Sequence, residues 1–157
     1  MTRRATAAAL LQSAIALASL CVLAAPAHAG VTFANGWMRP APAGASAAEA
    51  YVDVITDDAL TLVAVSTPAA ATVEIVEGQV SGGQYRTHVV AQVAIPANST
   101  FRFARFGNVL RLSGVAHDVR AGDSVALTFT FRDAAQRTST ASATIVARGV
   151  VGPAPVR

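Results

Sequence analysis

The chain has 157 residues, of which 53% are apolar and 13% charged, with one cysteine and a formal net charge of +3. That length supports a single domain with a substantial core. The basic excess consists of scattered arginines without a lysine, so no tract suited to nucleic acid is present. The lone Cys21 excludes a disulfide framework or a zinc–thiolate site.

Residues 1–29 have the organisation of a signal peptide. "MTRR" is a positive leader, Ala5 to Leu23 an apolar run, and Ala27-His28-Ala29 a small-x-small cleavage signal. A membrane anchor is the competing reading, but Gln12 and Ser13 interrupt the run and the cleavage signal follows directly. A lipid anchor on Cys21 meets Leu20 where a small residue is required. Cleavage after Ala27 instead would leave His28 at the amino terminus, where amine and imidazole chelate Cu(II). The expectation is removal after Ala29 and a soluble periplasmic or secreted protein, Gly30 to Arg157. Ten arginines and nine acids in that piece bring its net charge to about +1.

Beyond the leader, apolar and polar residues alternate in short, β-branched-rich runs, the period of half-buried strands. In chain order they are Val31–Arg39, Ala50–Thr56, Thr61–Ser66, Ala71–Glu77, Tyr85–Val90, Thr100–Phe103, Val109–Leu112, Ser124–Arg132 and Ser139–Ala147. Turn sequences such as "RPAPAG", "SGG", "IPANS", "RFGN" and "RAGD" separate them. Ala43–Ala50 has helical propensity but leads from a Pro/Gly loop into "AYVDVIT", and so reads as loop entering strand. Close-spaced strands without an amphipathic helix predict an all-β antiparallel sandwich or barrel over 30–148. The Pro/Gly-rich residues 149–157 read as a flexible tail.

Catalytic signatures do not emerge. No G-x-S-x-G elbow is present. Asp57 and Asp58 are adjacent in a turn, where aspartate bonds its own backbone, and Ser81–Gly83 reads as a hairpin turn. The chain is not expected to be an enzyme.

"GWMRPAPAGASAAEAYVDV", "LVAVSTPAAATVEI", "IPANSTFRF" and "AGDSVALTFTF" occur in an order that resembles the periplasmic copper chaperone family PCu(A)C, over Asn35 to Val146. The resemblance implies a cupredoxin-like Greek-key β-sandwich. It also implies Cu(I) binding by imidazole and thioether donors, the soft set that Cu(I) prefers. Members place His, sometimes Met, in the turn after a Val-Glu-hydrophobic strand end, then a Met, then a His-x-Met pair. Those positions fall here on Val76, Thr87, Val109 and Arg111, at intervals of 11 and 22 residues between the first three. Two have no ligating atom, threonine is a poor Cu(I) donor, and arginine carries a permanent positive charge. "TVEIVEG", Thr72 to Gly78, is then the first ligand turn without its ligand.

Three remaining side chains are substitute metal donors to be weighed. Met38, beside the tryptophan of "GWMRP", reads as packing. His88 is one position from Thr87, so strand alternation turns it to the opposite face unless a bulge intervenes. His117 in "VAHDVRAGD" reads as a loop residue or a hydrogen-bond partner of Asp118. Because the family's ligands lie on an exposed rim, Val76, Tyr85, Phe106, Val109 and Arg111 are expected to form a small apolar patch edged by arginine. Aromatics with arginine are the composition of interface hot spots.

The resulting expectation is an exported PCu(A)C-like protein whose Cu(I) site is lost, with no cofactor of its own. The resemblance implies a partner among periplasmic proteins of oxidase assembly or copper handling, with no nucleic acid and no stable membrane insertion after leader removal. The alternative is a metal-free periplasmic module that binds a protein or ligand through the former metal rim.

Overall fold

Alternation becomes strand after strand in the computed structural model, which describes Gly30–Gly149. The predicted leader with Cys21 and His28, and residues 150–157 of the predicted tail, lie outside the described residues. Ten strands and no helix are found among the described residues: β1 Val31–Met38, β2 Ala48–Thr56, β3 Leu60–Ser66, β4 Ala70–Ser81, β5 Gln84–Val90, β6 Val93–Ile95, β7 Ser99–Phe103, β8 Val109–Val115, β9 Ser124–Arg132 and β10 Thr138–Ala147. Nine match predicted runs. The exception, β6, is three residues long, too short to display a period of two.

The strands are ordered β5-β4-β8-β2-β1-β10-β9-β3-β6, with β7 off this path on β2. β2 changes partner along its length, pairing β8 through Ala48–Ala50 and β7 through Val52–Thr56. That exchange lets the two layers of the sandwich share a strand. One correction to an all-antiparallel expectation is that β1 runs parallel to β10, Trp37 opposite Val146 and Met38 opposite Ala147. This makes the sheet mixed.

The main core draws buried side chains from every strand but β5, which contributes only the partly buried Val90. Phe103, Phe129, Phe131, Leu110, Leu127 and Ile145 are among its fully covered members. Phe129 lies between Phe33, 4.7 Å away, and Phe131, 6.3 Å away, measured between ring centroids.

A bulge in β1 creates the outer site. Ala34 faces Asp53 and Trp37 faces Tyr51, so Asn35 and Gly36 together oppose Val52. Asn35 is left-handed at φ 53°, and its side-chain amide donates to Asp53 at 2.8 Å. A regular strand would put Phe33 and Trp37 on one face. The extra residue sends Phe33 into the main core and turns Trp37 to the other side of the sheet. Gly36 is required there, because a Cβ would stand 2.6 Å from Cγ2 of the buried Ile145.

β4 also departs from expectation. It continues four residues past Glu77, and its turn is Gly82–Gly83. Val76 is therefore mid-strand and not at a strand end. Both turn glycines have positive φ, 58° and 76°, the arrangement of a two-residue type I′ hairpin.

Candidate functional site

On the face of the sheet opposite the main core, Tyr51, Val76 and Val109 form a second buried cluster with the partly buried Trp37 packed on it. The alternation that carries Val52, Ile75 and Leu110 into the main core sends their neighbours Tyr51, Val76 and Val109 outward. Val76 and Val109 are cross-strand partners, and the rings of Trp37 and Tyr51 lie 4.5 Å apart at 33°. Adjacent residues in β4 and β8 are thus buried on both faces of the sheet.

This arrangement corrects the expected exposed rim. Val76 is 0% exposed and Val109 4%, because Trp37 and Tyr51 cover that face. Arg111 faces Glu74 on β4 and Glu49 on β2, with its guanidinium 3.8 Å from the Glu74 carboxylate. Only Tyr85 and Phe106, of the five expected rim residues, are exposed large hydrophobics; Val80 and Val89 join them. Sequence reasoning missed those two valines, although their alternation with Tyr85 across a short hairpin marks one face.

The four aligned positions do share a face. Glu74, Val76 and Gly78 alternate along β4, with Arg111, Val109 and Thr87 as their respective cross-strand partners. Thr87 is exposed on β5. The substitute donors are not brought together. Met38 is fully buried in the main core. His88 lies on the opposite face from Thr87, its Nε2 3.4 Å from Glu77 Oε2. His117 is an exposed residue of the β8–β9 connection, where Asp118 accepts from the Ala43 backbone N–H at 3.0 Å and lies 3.7 Å from Arg120. That backbone donor holds the Asp118 carboxyl below its usual range. Among the described residues, no group of three or more His, Cys, Asp or Glu side chains is placed to hold a metal ion.

The cluster has one polar fixture. Tyr51 donates its hydroxyl to Glu49 Oε2 at 2.5 Å. Burial pushes the Tyr51 hydroxyl up to about 12, reinforced by that hydrogen bond and the Glu49 charge and opposed by Arg39 and Arg105. A raised folded-state value means stability present in full below the ordinary tyrosine range and lost as pH rises through about 12. An absorbance titration should show a phenolate appearing near pH 12 as stability falls, and Tyr51→Phe should abolish that phase. A Tyr51 that ionises at the ordinary tyrosine value would contradict the assigned burial.

Beside the cluster, Tyr85 lies across Gly78 and donates to the Gly107 carbonyl at 3.0 Å. A side chain at position 78 would collide with the Tyr85 hydroxyl and the Gly107 oxygen. The tight turn Ala104–Asn108 is closed by Gly107 N–H to Ala104 O at 3.1 Å and Ala104 N–H to Asn108 O at 2.8 Å. Within it Phe106 is left-handed at φ 62° and 72% exposed, a conformation that costs a non-glycine residue about 1 kcal/mol or more. Its ring meets Tyr85 edge-on at 6.1 Å, with the Arg105 guanidinium 5.3 Å from its centroid.

Comparison with known proteins agrees with this architecture. The LpqE-like lipoprotein family model matches residues 31–143. No curated protein matches the chain. Among solved structures, the apo PCuAC domain of PmoF2 aligns with TM-score 0.60 at 17% identity, covering 78% of this chain and 93% of that one. The copper-bound PCuAC domain of PmoF2 aligns with TM-score 0.56 at 18% identity, covering 78% and 97%. The solution structure of apo-DR1885 from Deinococcus radiodurans gives 0.55 at 22%, covering 98% and 99%. At such identities the likeness is one of fold.

Proposed function

Because the chain belongs to the LpqE-like lipoprotein family and has the fold of PCuAC domains, we propose that it is an exported, copper-chaperone-like protein that does not carry Cu(I) through the PCu(A)C ligand positions. The observation that carries this reading is the Val76–Val109 pair, directly opposed and sealed beneath Trp37 and Tyr51. A valine pair under an indole offers no lone pair to a soft cation. The flanking positions add an exposed threonine and an arginine paired to Glu74. Among the described residues, no helix is long and apolar enough to cross a membrane.

Titration of the purified protein against a competing Cu(I) chelator should show no stoichiometric uptake. One-to-one binding that survives His88→Ala with His117→Ala would overturn the proposal. Binding lost in that double variant would move the metal to those histidines. Intact mass of the exported protein tests the leader: a chain starting at Gly30 supports its removal, whereas a heavier, lipid-bearing chain starting at Cys21 would make the protein membrane-tethered.

A second reading, a metal-free interaction module, is favoured by one feature. A large aromatic side chain, Phe106, is held in a left-handed conformation and presented to solvent. Strain retained in order to expose a hydrophobic ring suits recognition better than packing.

A further inference from the structure

The exposed large apolar side chains among the described residues are Val80, Tyr85, Val89 and Phe106. All four lie on the β4–β5 hairpin or on the turn that Tyr85 bonds. β5 is the terminal strand of the sheet, paired with β4 on one side only among the described residues. At the other end, β6 is three residues long, but β5 is a seven-residue edge with no proline and no bulge in its register with β4. Edges of that kind are templates for strand addition, which proteins ordinarily block with charge, proline, a bulge or short length.

We propose that β5 is a docking edge for a second copy of this chain, the two β5 strands pairing antiparallel about a two-fold axis at Thr87. The register follows from the hairpin. A two-residue turn makes Ser81 and Gln84 a hydrogen-bonded pair. Alternation then commits the backbone groups of Arg86, His88 and Val90 to β4 and directs those of Tyr85, Thr87 and Val89 to the free edge. An axis at Thr87 uses all three outward residues at once, with Thr87 opposite Thr87 and Tyr85 opposite Val89 of the second copy. Moving the axis to any other residue of β5 shortens the overlap of outward residues, and moving it by half a residue, to a point between two residues, opposes outward backbone groups to ones already bonded to β4.

The side chains fit the same register. On one face it makes two symmetric aromatic–β-branched pairs, Tyr85 with Val89, a favourable cross-strand combination. Phe106, edge-on to Tyr85, extends that apolar surface. On the other face Arg86 of the second copy stands opposite His88, whose Nε2 is 3.4 Å from Glu77 Oε2. Each copy thereby brings an arginine onto the same face as the other's Glu77, which stands one strand further in beyond His88, so a cation approaches a carboxylate. The contact is isologous and closes at two copies.

Sedimentation velocity over a wide concentration range should show a monomer–dimer equilibrium. Thr87→Pro, which removes the central outward N–H while sparing the bonds to β4, should weaken association about tenfold or more. In a Cys21→Ser background, Thr87→Cys should be joined into a covalent dimer by a short bis-maleimide. Val89→Cys, whose copies stand four strand positions apart, should not. Because the cysteine variants leave the backbone unchanged, they decide the matter even where the proline variant folds poorly. A protein that stays monomeric throughout, or a dimer that Thr87→Cys fails to lock, overturns the proposal. So does a dimer that Val89→Cys locks equally well.

Discussion

Val76→His, Thr87→Met, Val109→His and Arg111→Met introduced together should give the protein Cu(I) uptake that the parent is proposed to lack. Val76 and Val109 are direct partners on adjacent strands, so imidazoles there start from Cβ atoms about 5 Å apart. Thr87, partner of Gly78, and Arg111, partner of Glu74, lie one step to either side of that pair on the same face. Strands hold all four, which limits the reorganisation that binding requires. A bare unit charge about 4 Å from a monovalent cation costs roughly 4 kcal/mol at an effective dielectric near 20. That equals about three orders of magnitude in affinity. Arg111 is nearly a third exposed and 3.8 Å from Glu74, so part of that repulsion is already offset. The triple variant that keeps Arg111 should accordingly bind about tenfold or more weaker than the quadruple. Competition against a chelator reads both, with denaturant unfolding to confirm that each variant folds. A folded quadruple variant that takes up no Cu(I) would refute the alignment of these positions, and with it the idea of a lost site.

Phe129→Ala should be among the most destabilising single truncations, at about 3–5 kcal/mol. Phe129 is fully buried and packed between Phe33 and Phe131. That loss is a large part of the roughly 5–15 kcal/mol that separates a folded domain from its unfolded chain. Trp37→Ala should cost less, about 2 kcal/mol, because its ring is partly exposed and covers only the outer cluster. The two residues lie on opposite sides of the sheet, so the double variant should be close to additive. Denaturant midpoints measure all three. A Trp37 cost equal to that of Phe129 would mean the outer cluster is not a separate layer.

Much of the fold was legible. Ser124–Arg132 shows its period of two in sequence and in burial alike, because side chains alternate across a strand by covalent geometry. Cross-strand register was not legible. β6 is too short to carry a period, and the parallel pairing of β1 with β10 joins the two ends of the domain. The far end of β4 was read as turn because the resemblance places a ligand turn after the Val-Glu-hydrophobic strand end. In the structure Gly78 sits within the strand and makes room for Tyr85.

The site divides in the same way. The sequence by itself determined which residue types occupy the four aligned positions, and that no cysteine follows Cys21. It also determined the 11- and 22-residue intervals between Val76, Thr87 and Val109, the intervals on which the resemblance rests. Only the tertiary structure decided that Val76 and Val109 are buried. Their neighbours Ile75 and Leu110 already face the main core, so alternation alone sends the two valines outward toward solvent. What removes the solvent is Trp37, turned outward by the bulge at Asn35–Gly36 and laid against Tyr51. Alternation is local, but coverage requires four strands distant in sequence to meet, and that depends on long-range packing.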